Sequence, residues 1–177
     1  MPLLFLGFAL LDNVVVYSAL TKRSTPWSIV LGSAVGPLTL WAGYAAVSVP
    51  VSAPALLIGA TTAAAWVPVH MWAIATLYRD DYAATGLPMA PVVWDPATLA
   101  VASGTSGLVM GAAAGAGLAF TRGTGAVWVA ALVGVASLAI VGVAALLPWH
   151  PALAPRLVRL VTAYLVVVLM AAIGLAA

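Results

Sequence analysis

Trp66-Val67-Pro68-Val69-His70-Met71-Trp72 runs directly into Ala73-Ile74-Ala75-Thr76-Leu77-Tyr78-Arg79-Asp80-Asp81-Tyr82 and on through Ala83-Ala84-Thr85-Gly86-Leu87-Pro88-Met89. From Ala53 to Tyr78 the residues are almost all apolar, more than the ~20 that a helix needs to cross a bilayer. His70 therefore lies inside an apolar helix, and the helix ends on two adjacent carboxylates. The whole chain of 177 residues has only four acids. Two of them side by side after a membrane span imply that something is held there.

Composition sets the class. Hydrophobic residues make up 65% of the chain and charged residues 6%, against about 25% charged in soluble domains; mean hydropathy is +1.19. The chain reads as an integral membrane protein. Its pI near 9.3 comes from a net charge of only +2, and six cations form no patch for nucleic acid. With no cysteine, disulfides, thiolate metal sites and cysteine nucleophiles are excluded. No basic leader with a cleavage signature opens the sequence, so no signal peptide is expected.

Six segments qualify as spans: Leu3–Leu20, Ser28–Val47, Ala53–Tyr78, Pro96–Phe120, Ala126–Leu147 and Leu157–Ala176. Their runs are continuous and do not alternate as barrel strands do. The expected fold is thus all-α, a polytopic membrane bundle of six transmembrane helices forming a single domain over residues 1–177. Breaks fall at Thr25-Pro26, Val49-Pro50, Gly86 with Pro88, Gly123 with Gly125, and Pro148, Pro151 and Pro155. Lys22, Arg23, Arg79, Arg156 and Arg159 lie in or around the odd loops, and the fourth loop holds only Arg122. The positive-inside bias places the odd loops in the cytoplasm, with the Lys22-Arg23 and Asp80-Asp81 loops on one face of the plasma membrane. Gly32 with Gly36, and Gly107 with Gly111 and Gly115, are spaced for close helix packing.

Eleven residues separate His70 from Asp81, three helical turns with about 20° left over. An unbroken helix would put both on one face about 16 Å apart, with Trp66 one turn beyond His70. An ionisable group inside a membrane marks function by default; the ordinary alternative for His70 is a hydrogen bond to a neighbouring helix. Asp80 and Asp81 opposite Lys22 and Arg23 form the donor set of a magnesium–diphosphate site. Magnesium takes a few carboxylates with phosphate oxygens and water, and Lys or Arg donate to the remaining oxygens. The alternative is a solvated loop in which Asp80 pairs with Arg79 or caps a turn. Asp12 beside Asn13, inside the first span, leaves three readings open: a polar path, a partner within the bundle, or a shallow helix. His150, in Pro148-Trp149-His150-Pro151, reads as an interfacial loop residue. No phosphate-binding Gly-x-x-x-x-Gly-Lys loop, His-Glu-x-x-His pair or nucleophile elbow is present, and Gly115-Ala116-Gly117 lies inside an apolar span.

From Tyr17 to Leu165 the chain resembles the heme O synthase (protoheme IX farnesyltransferase) branch of the UbiA-type intramembrane prenyltransferases, over their C-terminal two-thirds. Tyr17 and Lys22-Arg23-Ser24-Thr25-Pro26, followed by Gly32, Gly36 and Gly43, are similar to that family's basic loop and next helix. Trp66, His70 and Trp72 fall on its Trp-Gln-x-Pro-His-Phe-Trp segment. Asp81-Tyr82, Gly86 and Pro88-Met89 match its Asp-Tyr-x-x-x-Gly-x-Pro-Met motif, and Arg156-Leu157, Arg159 and Tyr164-Leu165 resemble its last helix.

The resemblance implies the last six helices of a nine-helix fold and farnesyl transfer from farnesyl diphosphate to a vinyl group of heme b. Magnesium would hold the diphosphate through Asp80 and Asp81, the catalytic acids, with Lys22 and Arg23 on the phosphates. His70, Trp66, Trp72 and Tyr82 would line the heme and prenyl pocket. The chain departs from the pattern in lacking the family's first motif, Asn-x-x-x-Asp-x-x-x-Asp. Val67 and Val69 replace Gln and Pro, Ser28 replaces Asn, and Thr39-Leu40 replaces a Pro-Pro pair. These departures imply a truncated or split enzyme whose remaining helices come from upstream sequence or a second chain. The alternative is a non-catalytic heme-binding or assembly subunit in which His70 is an axial ligand. Another prenyl acceptor, such as a quinone ring or a glycerol lipid, fits the His70 segment less well.

Overall fold

The computed structural model describes residues 1–47, 53–119 and 124–176. The Val49-Pro50 break, Phe120, Arg122 and Gly123 lie outside the described residues. Among the described residues every regular element is helical. Six stretches are long and apolar enough to cross a membrane: Pro2–Thr21, Ser28–Ala46, Leu56–Leu77, Pro96–Ala119, Val127–Leu146 and Pro151–Ala171. They match the six spans read from the sequence, with the largest shift at the last, which begins at Pro151 and not at Leu157.

The first two spans are irregular, and Asp12 ties their irregularities together. α1 (Pro2–Leu11) continues into a wide-turn π segment, Asp12–Thr21. There the Lys22 N–H reaches back five residues to the Tyr17 carbonyl, at 2.7 Å. The hydroxyls of Ser18 and Thr21 likewise donate to carbonyls five residues back. The second span is two helices, α2 (Ser28–Leu31) and α3 (Val35–Val47), separated by Gly32-Ser33-Ala34. That break leaves the first N–H groups of α3 without intrahelical acceptors. Asp12 Oδ2 accepts the Val35 N–H at 3.0 Å, and Asp12 is buried. Of the three readings of this acid, the partner within the bundle is the observed one. A carboxylate there also faces the positive end of the helix dipole.

α4 (Ala53–Leu77), α7 (Pro96–Ala119), α8 (Thr124–Leu146) and α9 (Ala154–Ala176) form the core of the bundle. In α9, Ala154, Leu157, Val161, Tyr164 and Val168 recur at helical spacing and are all buried, so one stripe of this helix faces its neighbours. The glycine pattern is a packing seam. A Cβ at Gly111 would lie 2.5 Å from Ser137 Cβ, and one at Gly107 would lie 2.9 Å from Val141 Cγ2. Gly115 has open space instead. Ser137 Oγ donates to the Val133 carbonyl and lies 2.9 Å from Tyr164 Oη, tying α8 to α9 where α7 presses closest. In the other pair, Gly32 faces Tyr17 and Gly36 faces the backbone of Ala63.

A second core cluster, built on Ile29, Trp72, Met89, Ala90 and Leu99, joins α2, α4 and α7 to the third loop. That loop contains α5 (Arg79–Ala84) and α6 (Ala90–Val93). The expected unbroken helix from His70 to Asp81 is interrupted at Tyr78 (φ −108°, ψ 30°), which separates α4 from α5. The reason lies further along the chain: Gly86 at φ +68° turns the loop so that α5 packs on α6, and a straight continuation of α4 would carry the loop away from the cluster.

Asp95 caps α7. Its Oδ1 accepts the Thr98 N–H at 3.0 Å, and its Oδ2 takes the Thr98 hydroxyl. These bonds, the hydroxyl foremost, hold the Asp95 carboxyl below its ordinary value. A depressed folded value means that the cap contributes stability above the ordinary carboxylate range and loses it as pH falls through the lowered value. An acid series of thermal unfolding in detergent should therefore show a smaller acid-side loss in Asp95→Ala than in the wild type. Asp12→Leu should lower stability by about 1–3 kcal/mol, because it strands the Val35 N–H, whereas Asp12→Asn keeps an acceptor oxygen and should lose less. Equal unfolding temperatures for Asp12→Leu and the wild type would remove the cap from the account.

Candidate functional site

The break at Tyr78 opens a hollow of about 390 Å³ lined by Thr76 to Asp81 and by Pro151 from the fifth loop. Asp80 and Asp81 stand in the first turn of α5 and are both exposed. Asp80 does not pair with Arg79. The Arg79 Nε–H donates instead to the Pro91 carbonyl at 2.8 Å, across the loop. Among the described residues no group of three or more His or acidic side chains is placed to share a metal ion. Two bare carboxylates on an open rim nevertheless suit magnesium when phosphate oxygens and water complete its shell; they would not suit an all-protein cage.

The first loop arrives at the same end of the bundle. Tyr17 and Tyr82 both pack against the cluster around Trp72 and Met89, and Lys22 Nζ lies 5.7 Å from the centre of the Tyr17 ring. The Lys22 loop and the acid-bearing helix are thus bridged by two tyrosines. Arg23, beside Lys22, is exposed.

The aromatic residues divide into two groups on opposite sides of α4. Trp66 stacks on His70 with ring centroids 4.4 Å apart and 17° between planes. The Trp66 indole N–H donates to the Val161 carbonyl of α9 at 2.8 Å. His70 Nδ1 is buried without a hydrogen-bond partner among the described residues, so no neighbouring helix takes up that nitrogen. Trp72 points the other way, 1% exposed, with Trp94 edge-on at 5.5 Å and Trp27 edge-on to Trp94 at 4.8 Å. Of the residues singled out from the sequence, Asp80 and Asp81 share the hollow, Tyr82 and Trp72 share the second cluster, and Trp66 with His70 stand apart from both.

Sequence reasoning missed three participants. Arg79 reads from the sequence as a cation orienting the chain or a partner of Asp80, and its contact with Pro91 has no local signal. Pro151 reaches the hollow from about 70 residues downstream of Asp81, beyond what periodicity can report. Trp94, at the foot of α7, had the one visible cue: an aromatic residue beside Asp95-Pro96 at a span boundary.

Residues 1–160 match the UbiA prenyltransferase family. The chain belongs to that family. It is 38% identical over 146 residues to the protoheme IX farnesyltransferase of Hyperthermus butylicus, covering 82% of this chain and 45% of the relative. It is 40% identical over 108 residues to protoheme IX farnesyltransferase 1 of Picrophilus torridus, covering 60% and 36%. It is 48% identical over 79 residues to protoheme IX farnesyltransferase 2 of Paramagnetospirillum magneticum, covering 45% and 27%. The chain thus spans less than half the length of these curated relatives. No solved structure matches it. Six membrane-length helices in a member of this family make it a multi-pass membrane protein.

Trp66→Phe keeps an aromatic stacking partner for His70 but deletes the bond to Val161, so thermal unfolding should report a loss of about 1 kcal/mol. Trp66→Ala also removes the ring and should lose about 3–5 kcal/mol. Equal losses for the two variants would show that the stack adds nothing.

Proposed function

We propose that this chain supplies the acid-bearing part of a prenyltransferase site that moves a farnesyl group from farnesyl diphosphate to a vinyl group of heme b. The observation that supports this reading most strongly is the pair Asp80-Asp81 on the rim of an open hollow, at the end of the bundle where Lys22 is bridged through Tyr17 and Tyr82. The similarity to protoheme IX farnesyltransferases supplies the substrate classes. We read residues 1–177 as one transmembrane unit with the Lys22-Arg23 and Asp80-Asp81 loops cytoplasmic, on the positive-inside bias. The first acid motif and the remaining helices would come from upstream sequence or from a second chain.

In the reaction the allylic C–O bond of the diphosphate breaks, and the vinyl π pair forms the new C–C bond. The cation left on the former vinyl group is discharged by water or by proton loss. Asp80 and Asp81 would hold magnesium, which when bound neutralises charge on the departing diphosphate. Lys22 and Arg23 donate to phosphate oxygens not engaged by the metal. Tyr17 and Tyr82 offer aromatic faces toward an allylic cation. Asp81→Ala should lower heme O formation by at least about 100-fold in membranes where this chain, with any partner it needs, is the sole source of the activity. Undiminished heme O in extracts would overturn the role of Asp81.

One observation favours a second reading, a heme-binding or assembly subunit without turnover. Among the described residues His70 Nδ1 is buried with no hydrogen-bond partner, and the ring is stacked on Trp66, as suits an imidazole reserved for a ligand. A purified chain whose heme spectrum changes in His70→Ala, but which consumes no farnesyl diphosphate even with candidate partners, would select that reading.

A further inference from the structure

Arg79 combines features that neither the span assignment nor the acid pair accounts for. It is the first residue of α5, immediately beyond the break at Tyr78, and its side chain lines the hollow with Asp80 and Asp81. It does not pair with either acid. Its Nε–H is given to the carbonyl of Pro91, a buried residue that follows the fully buried Met89 and Ala90. A guanidinium carries five N–H donors in a rigid planar fork, and this bond uses one. Pro91 is itself buried, so the bond ties an exposed arginine to a buried residue across the loop while most of the guanidinium's donors remain.

Charge then narrows what the hollow can take. Two carboxylates and one guanidinium leave the rim formally negative, which repels a free diphosphate and attracts a divalent cation. With the cation in place the sign reverses, and the guanidinium becomes a donor to the anion that the cation brings. Arginine suits this because its remaining N–H groups match phosphate oxygens in parallel pairs, which a lysine ammonium does not.

We propose that Arg79 is a phosphate-contacting residue of the magnesium–diphosphate site, held for that contact by its Nε–H bond to Pro91. The inference rests on the diphosphate reading of Asp80 and Asp81 and adds a third residue to it. Arg79 would contact the leaving diphosphate directly, from the same short helix as the acids.

The test is calorimetric titration with magnesium pyrophosphate of the chain assembled in lipid nanodiscs with any upstream segment or partner it needs, with amide exchange over residues 79–94 measured in parallel. Asp81→Asn should abolish binding. Arg79→Gln should weaken it about tenfold or more, the size expected for a charge-assisted contact. Arg79→Lys keeps the charge without the fork and should fall between Arg79→Gln and the wild type, although both variants lose the Pro91 bond and exchange alike. Wild-type affinity in Arg79→Gln, with binding lost in Asp81→Asn, would overturn the inference and leave the acid pair standing. Equal weakening in Arg79→Gln and Arg79→Lys, in step with exchange, would also overturn it by making Arg79 a loop staple only. No pyrophosphate binding by the wild type would defeat the diphosphate reading itself, and Arg79 with it.

Discussion

The bond between the Val35 N–H and the Asp12 carboxylate is where this bundle meets the strictest rule of its surroundings. In hydrocarbon an unsatisfied backbone group costs several kcal/mol, so a span can break only where a partner is waiting. Span two breaks at Gly32-Ser33-Ala34 because Asp12 in span one takes the freed donor. The break in turn lets Gly32 sit against Tyr17, where any Cβ would lie 2.7 Å from the tyrosine Cβ. Tyr17 then lies under Lys22 and beside the third-loop cluster. An acid in the first span thus helps to set where the first loop's cation stands, without itself approaching the hollow.

The same accounting explains the third loop. α4 is regular as far as Leu77, and beyond it the chain leaves the apolar seam and needs new partners. Tyr82 and Leu87 turn inward to the Trp72 cluster, Gly86 supplies the left-handed turn, and Arg79 closes the loop onto Pro91. The carboxylates of Asp80 and Asp81 take no part in this closure, although the Asp81 carbonyl accepts from Thr85. They remain exposed on the rim, available for charge that the fold itself does not use.

What the sequence made legible follows from the range of each signal. Span number and position rest on continuous apolar runs, which are local, and they held to within a few residues at most ends. The Gly107–Gly111 seam was legible for the same reason, although Gly115 kept the spacing without the contact. Helix continuity from His70 to Asp81 was not legible, because the break at Tyr78 is imposed by contacts that α5 makes with α6 further along the chain. The Asp12 cap spans 23 residues and the Trp66 bond spans 95; no periodicity within one helix encodes either. Family motifs located the acids, His70 and the tyrosines, but a motif gives an order along the chain and not a side of a helix.

That last distinction bears on how one motif is laid out across α4. Trp66, His70 and Trp72 belong to one motif, yet four residues bring Trp66 and His70 onto one face while Trp72 falls on the other. The first pair leans on α9 through Val161, and Trp72 is sealed behind Trp94. Val69, Ala73, Leu157 and Val161 close the α4–α9 seam beside that pair. Trp72 and Tyr82 instead brace the wall behind the acids. The motif is thus divided across α4: one face leans on α9, and the other packs into the cluster that carries the acid-bearing loop.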